Sequence, residues 1–384
     1  MPLTSTLIAT VPLAIWTYLF FARGNFWNLR EDAGASKPLD RWPRVVAIVP
    51  ARNEAETIAR SVTSLTKQDY PGEFSVIIVD DHSEDATAAH AIQAASGSDA
   101  AARVAVHPAS ELPQAWTGKV WAMNEGVKAA ANRTPDFFWF TDADIEHAPD
   151  TLRRLVCRAE TDSLDLASLM VLLQAKTFPE RSLIPPFLYF FLMLYPPQWI
   201  ANPKARTAGA AGGCILLRRS ALERIGGLIA IRNEVIDDCA LARAIKKSGG
   251  KIWMGLTRAS VSLRSYGTFS EIRDLIARTA FTQLRYSLFL LLATLVALFA
   301  AYILPWISFF QGEDPAWFLA ATAASLMSVS FGVTVRYHNQ SFLWALTLPF
   351  AAIFYGYATC VSALRYWLGR GGQWKGRAQA PSGI

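Results

Sequence analysis

Cysteine is scarce in this chain: four residues in 384, at positions 157, 214, 239 and 360, with no pair at CxxC or metal-ligand spacing. That scarcity excludes a disulfide framework and a zinc cage, and it fits a reducing compartment. Internal repeats and low-complexity linkers are missing, which removes repeat architectures from consideration. No basic n-region precedes the first apolar run, which argues against a cleaved secretory leader. The formal net charge is +6. Yet no basic, aromatic-studded motif of the nucleic-acid-binding modules is present, so anionic lipid is the expected counterpart and nucleic acid is not.

Apolar sequence is abundant: 52% of residues are hydrophobic, too many for an ordinary soluble enzyme. Residues 3–22 carry no charge, and about twenty apolar residues is the length of a membrane-crossing helix, so residues 1–23 read as an anchor. Arg23 and Arg30 follow the run, which places the next domain in the cytoplasm. Three further runs (287–310, 316–335 and 342–364) are long enough to span and define a C-terminal bundle over 287–364. Their flanking charges conflict. The acidic 311–314 link reads as external, whereas Arg365, Arg370, Lys375 and Arg377 in the basic tail 365–384 read as internal. Three full crossings cannot satisfy both. Either one segment is re-entrant, or the aromatic, proline-broken stretch 183–200 dips into the interface. Residues 266–286, with Arg273, Arg278 and Arg285, read as an amphipathic helix on the membrane surface.

Between residues 44 and 265 the pattern changes to short β-rich runs alternating with helical segments, the mark of an α/β domain with a mostly parallel sheet covered on both faces. Strands are expected at 44–50, 74–80, 103–107 and 137–141, with helices at 53–65 and 119–131. Ligands in such folds bind where strands end, and three strand ends here are polar. The first, Pro50-Ala51-Arg52-Asn53-Glu54, suits a nucleotide base or ribose, or else caps a helix. The second, 79–85, offers Asp80 to a base imide or ribose hydroxyl. Asp81 or Ser83 reads as a helix cap there, and His82, Glu84 and Asp85 as a solvated turn.

The third end is the sharpest: an apolar strand leads into Thr141-Asp142-Ala143-Asp144. If extended backbone continues through Asp144, both carboxylates face one side and converge on Mg²⁺ or Mn²⁺ bridging to a diphosphate, as a DXD motif would. Lys119 follows a glycine at a helix start, where an ammonium can meet phosphate, or it is a surface lysine. Further on, Asp237 and Asp238 enter a helix; one can cap it and the other act as general base, with Asp238 the expected base and Asp237 orienting the site. The run 209–214 is glycine-rich enough for close backbone approach. Gln283 and Arg285 end the amphipathic segment, where a guanidinium reaches either a diphosphate or anionic headgroups.

Taken in order, PARNE, VDDHSEDAT, TGKVWAMNEG, TDAD, GGC, IDDCALA and QLRY resemble the family 2 glycosyltransferases with the GT-A (Rossmann-like) fold. The resemblance covers residues 44–286. It implies that Pro50, Arg52, Glu54, Asp80, Lys119, Asp142, Gln283 and Arg285 line the site of a nucleotide-diphosphate sugar, with UDP the expected nucleotide. It also implies that Asp142 and Asp144 hold the metal and that Asp238 is the base. Two departures stand out: the usual Glu-Asp pair is Asp237-Asp238, and the QxxRW signature of polymerising members is shortened to Gln283-Leu284-Arg285-Tyr286. Residues 237–253, 278–287 and 369–377 look most like the hopanoid-biosynthesis-associated glycosyltransferases, which implies a hopanoid or polyprenyl-type lipid acceptor and a bacterial inner membrane location. The competing expectations are a catalytically inactive scaffold, a sugar-nucleotide-forming nucleotidyltransferase and a transporter. The retained carboxylates, the lack of a glycine-rich basic loop after the first strand and the small number of spans speak against them in turn.

Overall fold

The structure, a computed structural model, describes residues 2–31, 39–96, 101–371, 373–374 and 377–378. Of the basic tail, Lys375 lies outside the described residues. The chain opens with α1 (Pro2–Thr17), extended by a π-helical turn. There follow β1 (Val45–Ala51), α2 (Ile58–Thr66), β2 (Phe74–Asp80), α3 (Thr87–Ser96), β3 (Val104–Pro108), α4 (Gly118–Ala129) and β4 (Phe137–Phe140). Next are β5 (Ile145–His147), α5 (Thr151–Thr161), β6 (Leu166–Leu172), α6 (Phe178–Leu194), α7 (Pro197–Ala201), β7 (Ile215–Arg218), α8 (Arg219–Arg224), α9 (Asp237–Lys247) and β8 (Ile252–Ser262). The remainder is helical: α10 (Phe269–Ala277), α11 (Ala280–Gln283), α12 (Leu288–Leu298), α13 (Leu304–Gln311), α14 (Ala316–Tyr337) and α15 (Leu348–Trp367).

Two compact units divide these elements. One comprises Arg30–Gln174, Trp199–Ser265 and Gly372–Ile384, the other Met1–Leu29, Ala175–Gln198 and Tyr266–Gly371. The first holds an eight-stranded sheet in the order β3-β2-β1-β4-β7-β6-β8-β5. Its β3-β2-β1-β4 half is parallel, as expected from the short apolar runs. Every residue of β1 is buried, as a strand covered on both faces requires. The other half mixes directions: β7 lies antiparallel between β4 and β6, and β5 lies antiparallel to β8. This is the GT-A fold. Gly126 lets α4 lie close on the sheet, since a Cβ there would stand 2.4 Å from the Ile48 side chain.

Register decides where the site forms. Ala51 pairs with Asp80 and Ile48 with Phe140, so β1, β2 and β4 release their chains at one edge. Pro50 sits beyond the last β1–β4 pair, where its missing N–H costs no ladder bond.

Among the described residues, the second unit has four helices long and apolar enough to cross a membrane: Thr4–Ala22, Leu288–Gln311, Ala316–Tyr337 and Phe342–Trp367. The proline-broken stretch forms α6, which starts on a capping box made by Thr177 and Glu180. Glu180 is fully buried and accepts from the amides of Lys176, Thr177 and Tyr266. Polar groups inside this unit are paired across helices, as between the Tyr189 and Ser330 hydroxyls at 2.7 Å and from Trp16 Nε1 to the Ala301 carbonyl at 2.6 Å.

Candidate active site

Five carboxylates and two cations meet in the first unit, on segments that leave the sheet edge. Lys119, at the start of α4, places Nζ 2.8 Å from Asp142 and 3.4 Å from Asp237. Burial disfavours its charge, but Asp142 and Asp237 outweigh that and hold its pKa above the ordinary lysine range. Arg264, just past β8, pairs with Glu54 at 2.8 Å and with Asp144 at 3.5 Å. Two positive groups against Glu54, Asp142, Asp144, Asp237 and Asp238 leave a formal charge of 2 − 5 = −3 among these seven.

The two acidic pairs are built differently. β4 ends at Phe140, and the Ile145 amide returns to the Asp142 carbonyl at 3.3 Å, closing a turn. The extended backbone expected through Asp144 is therefore broken, and the carboxylates are presented by a turn, not by strand alternation. Burial, then Asp142, push Asp144 up to about 6 against the pull of Arg264. Asp237 and Asp238 open α9, whose N-terminus favours negative charge. Asp238 accepts from the Gly212 amide at 2.9 Å and from the Cys239 amide at 2.7 Å. Burial and Asp237 push it up to about 6, against Lys119 and those two amides. A Cβ at Gly212 would stand 3.2 Å from Lys119 Nζ and 3.4 Å from Asp238, close enough that a side chain there would press on both groups.

Other expected residues divide by what they touch. Asp80 ends β2 with a buried Oδ1 that has no hydrogen-bond partner among the described residues, the condition of a group awaiting a ligand donor. Arg52 is 8% exposed, and its Nη1 donates to the carbonyls of Asp81 at 2.6 Å and His82 at 2.9 Å. It thus staples the loop after β2, an indirect service to the donor side. Asn53, at φ 49°, accepts from the Glu84 amide and donates its own amide to Ser83 Oγ. Asp85 accepts from the Ala55 and Thr87 amides, so the expected solvated turn is also a tie between two strand ends. Gln283 and Arg285 lie in the helical unit, where the Gln283 side chain accepts from the Tyr195 hydroxyl and Arg285 adopts φ 54°.

Sequence reasoning missed Arg264 and a buried polar chain behind the acids. Ser260 Oγ stands 2.8 Å from His147 Nδ1, His147 Nε2 stands 2.8 Å from Thr141 Oγ1, and Thr141 donates to the Gly213 carbonyl at 3.0 Å. Burial depresses the His147 pKa to about 3, so the ring is neutral. With Nε2 protonated, every donor in the chain finds an acceptor. It ties Thr141, beside Asp142, to the Gly212-Gly213 segment that holds Asp238. No motif marks these positions; only the pairing of His147 with Ser260 across β5 and β8 brings them together. A cavity of about 380 Å³ lined by Arg60, Ser64, Lys67, Glu146 and His147 includes none of the five carboxylates, so the charge cluster and not the cavity marks the site.

This sheet and its carboxylate-lined edge define a GT-A nucleotide-sugar fold. Residues 46–226 match the family model described as Glycosyl transferase family 2. An N-acetylglucosaminyltransferase of Mesorhizobium japonicum is 26% identical over 204 residues, covering 51% of this chain and 44% of that protein. The chain thus matches less than half the length of this curated relative. A mannosyltransferase from Pyrobaculum calidifontis, solved in complex with GDP-Man and Mn²⁺, superposes with a TM-score of 0.61 at 21% identity, covering 95% of this chain and 99% of that one.

Proposed function

We propose that the protein is a membrane-bound inverting glycosyltransferase that moves a sugar from a nucleotide-diphosphate sugar to the hydroxyl of a lipid acceptor of hopanoid or polyprenyl type. The observation that carries the reading is the Asp238 carboxylate, held by two backbone amides beside an acidic cluster that Lys119 and Arg264 do not neutralise. Apolar helices in the same chain support a lipid acceptor and membrane attachment.

In the reaction, Asp238 takes the proton of the acceptor hydroxyl as its oxygen bonds to the anomeric carbon from the face opposite the diphosphate. The bond from that carbon to the diphosphate oxygen breaks, the nucleoside diphosphate leaves with the electron pair, and configuration inverts. A pKa near 6 suits a base that works near neutral pH. Asp80, with its unpartnered oxygen, takes the nucleoside. Lys119 turns from Asp142 and Asp237 toward the diphosphate.

Among the described residues no three His, Cys, Asp or Glu side chains form a metal-binding group. The net negative charge and the oxygen-only donors nevertheless fit a hard cation that keeps waters and shares substrate oxygens. Asp142 and Asp144 would hold Mg²⁺ or Mn²⁺, which when bound supplies neutralising charge to the departing diphosphate.

The test is transfer by purified protein in lipid, with UDP-, GDP- and TDP-sugars, Mg²⁺ or Mn²⁺, and bacterial lipid extracts containing hopanoids. The expected result is metal-dependent release of one nucleoside diphosphate with a new glycolipid. Silence across all donors and lipids, with no nucleotide binding, refutes the reading in favour of an inactive scaffold.

A further inference from the structure

Just over two turns along α9 from Asp238 is a cation that the acidic cluster does not use. Lys246 lies in the last turn of the helix, and burial alone acts on its pKa, lowering it. Its ammonium group donates to three backbone carbonyls: Trp199 at 3.0 Å, Ile200 at 2.7 Å and Thr207 at 2.7 Å. An ammonium has three N–H donors and no acceptor, so these bonds use all that it has.

The acceptors stand at the two ends of one loop. Between Ile200 and Thr207 the residues Asn202, Pro203, Lys204 and Arg206 are exposed, and past Thr207 the chain turns inward, with residues 208–211 buried. Lys246 closes the neck of that loop and so sets where the chain re-enters the core. From the neck the chain runs back along α9, from the end of the helix to its start. Thr207 rests on Lys246, Cys239 Sγ donates to the Ala210 carbonyl at 3.7 Å, and the Gly212 amide donates to Asp238 at 2.9 Å. Cys239 and Lys246 are seven residues apart and therefore on one face of α9, with Ala242 fully buried between them. From Asp238 to Lys246 the helix rises about 12 Å, and five residues of extended chain from 207 to 212 reach about 17 Å, so the run has little slack. Ser168 holds it from the sheet, accepting from the Ala211 amide at 2.8 Å.

We infer that Lys246 is a positioning residue for the proposed reaction, an assignment that rests on Asp238 being the base. By closing the neck of the 201–206 loop it sets the run 207–212 so that the Gly212 amide meets the Asp238 carboxylate. Asp238 is faced by Asp237, Lys119 and the amides of Gly212 and Cys239. Of these, the Gly212 amide is the one whose place depends on Lys246. A carboxylate that loses a donor is less stable as the anion, so its pKa rises and protonation sets in at higher pH.

The test joins the pH profile of kcat for transfer, using the full-length protein in lipid, with hydrogen exchange of the peptide 207–214. Lys246→Met keeps a stem of similar length and removes every donor. It is expected to move the acid limb of the profile upward by about half to one pH unit, and to speed exchange over 207–214 by about tenfold while β1 is unchanged. Lys246→Arg, which keeps a charged donor group, restores most of the displacement. Lys246→Gln has two N–H donors on a shorter stem; it gives a smaller displacement of the same sign and takes the place of Lys246→Met if that variant does not fold. An acid limb that stays in place in both Lys246→Met and Lys246→Gln overturns the proposal and leaves Asp238 as the base. Unchanged exchange over 207–214 overturns it as well, with or without activity. A wild-type profile with no acid limb removes Asp238 as the base, and the proposal falls with that reading.

Discussion

Two acidic pairs are bridged by Lys119 in the candidate site, one on the turn after β4 and one at the start of α9, and they are alike in arrangement but not in support. In each, one carboxylate, Asp142 or Asp237, is paired with Lys119. In each, the other, Asp144 or Asp238, is pushed up to about 6, first by burial. The difference is in what holds that second acid. Asp144 is matched by a side chain, Arg264, on a rotatable stem. Asp238 is matched by the amides of Gly212 and Cys239, which the backbone fixes. A carboxylate held by a movable cation can exchange that partner for a metal. One held by fixed dipoles keeps its position while it takes up a proton. The β4 turn is therefore suited to binding and the α9 start to proton transfer.

The largest expected effect falls on the binding pair: Asp142→Asn or Asp144→Asn abolishes transfer and metal-dependent nucleotide binding, while the protein still fractionates with membranes. Asp238→Asn lowers kcat by about 10² to 10⁴, the usual contribution of a positioned base, and leaves nucleotide binding by calorimetry unchanged. If it loses nucleotide binding as the other two do, the two pairs do not differ and the comparison fails.

The pH profile sharpens the same point. Because the Asp238 pKa is raised, protonation sets in as pH falls through about 6, so kcat drops on the acid side of that value and is flat just above it. A profile flat down to pH 4.5 removes Asp238 as the base. Thr141→Val, which cuts the polar chain behind both pairs, lowers kcat by about 10- to 100-fold, the range seen when supporting partners of a site are lost. Thr141→Ser, which keeps the hydroxyl, retains most of the activity; equal losses in the two variants would show that bulk and not hydrogen bonding matters. The smallest effect is outside the cluster: Arg60→Ala breaks an exposed pair with Glu146 and changes stability by less than about 1 kcal/mol in a denaturation curve.

Much of this was legible beforehand. The strands expected at 44–50, 74–80, 103–107 and 137–141 form as β1 to β4 within a residue or so at their ends, because compact apolar runs bounded by polar residues have few other ways to be buried. The apolar runs form helices of membrane-crossing length for a similar reason. Arg52 was less legible, since an arginine at a strand end can face a ligand or the backbone, and here it staples the loop after β2. Arg264, His147 and Ser260 were not legible at all, for they belong to no local pattern and gain meaning only when β8 pairs with β5.

What the sequence by itself determined was composition and period: an α/β domain with acidic strand ends, flanked by helices too apolar to be left in water. Those follow from local backbone geometry and the hydrophobic effect, which act on neighbouring residues. Only the tertiary structure decided which acids share a lysine, which are held by backbone amides and which helix is tied to a charged neighbour. Those outcomes depend on contacts between residues far apart in the chain, such as Arg264 with Glu54 and Arg365 with Asp274, whose pairing no local pattern encodes.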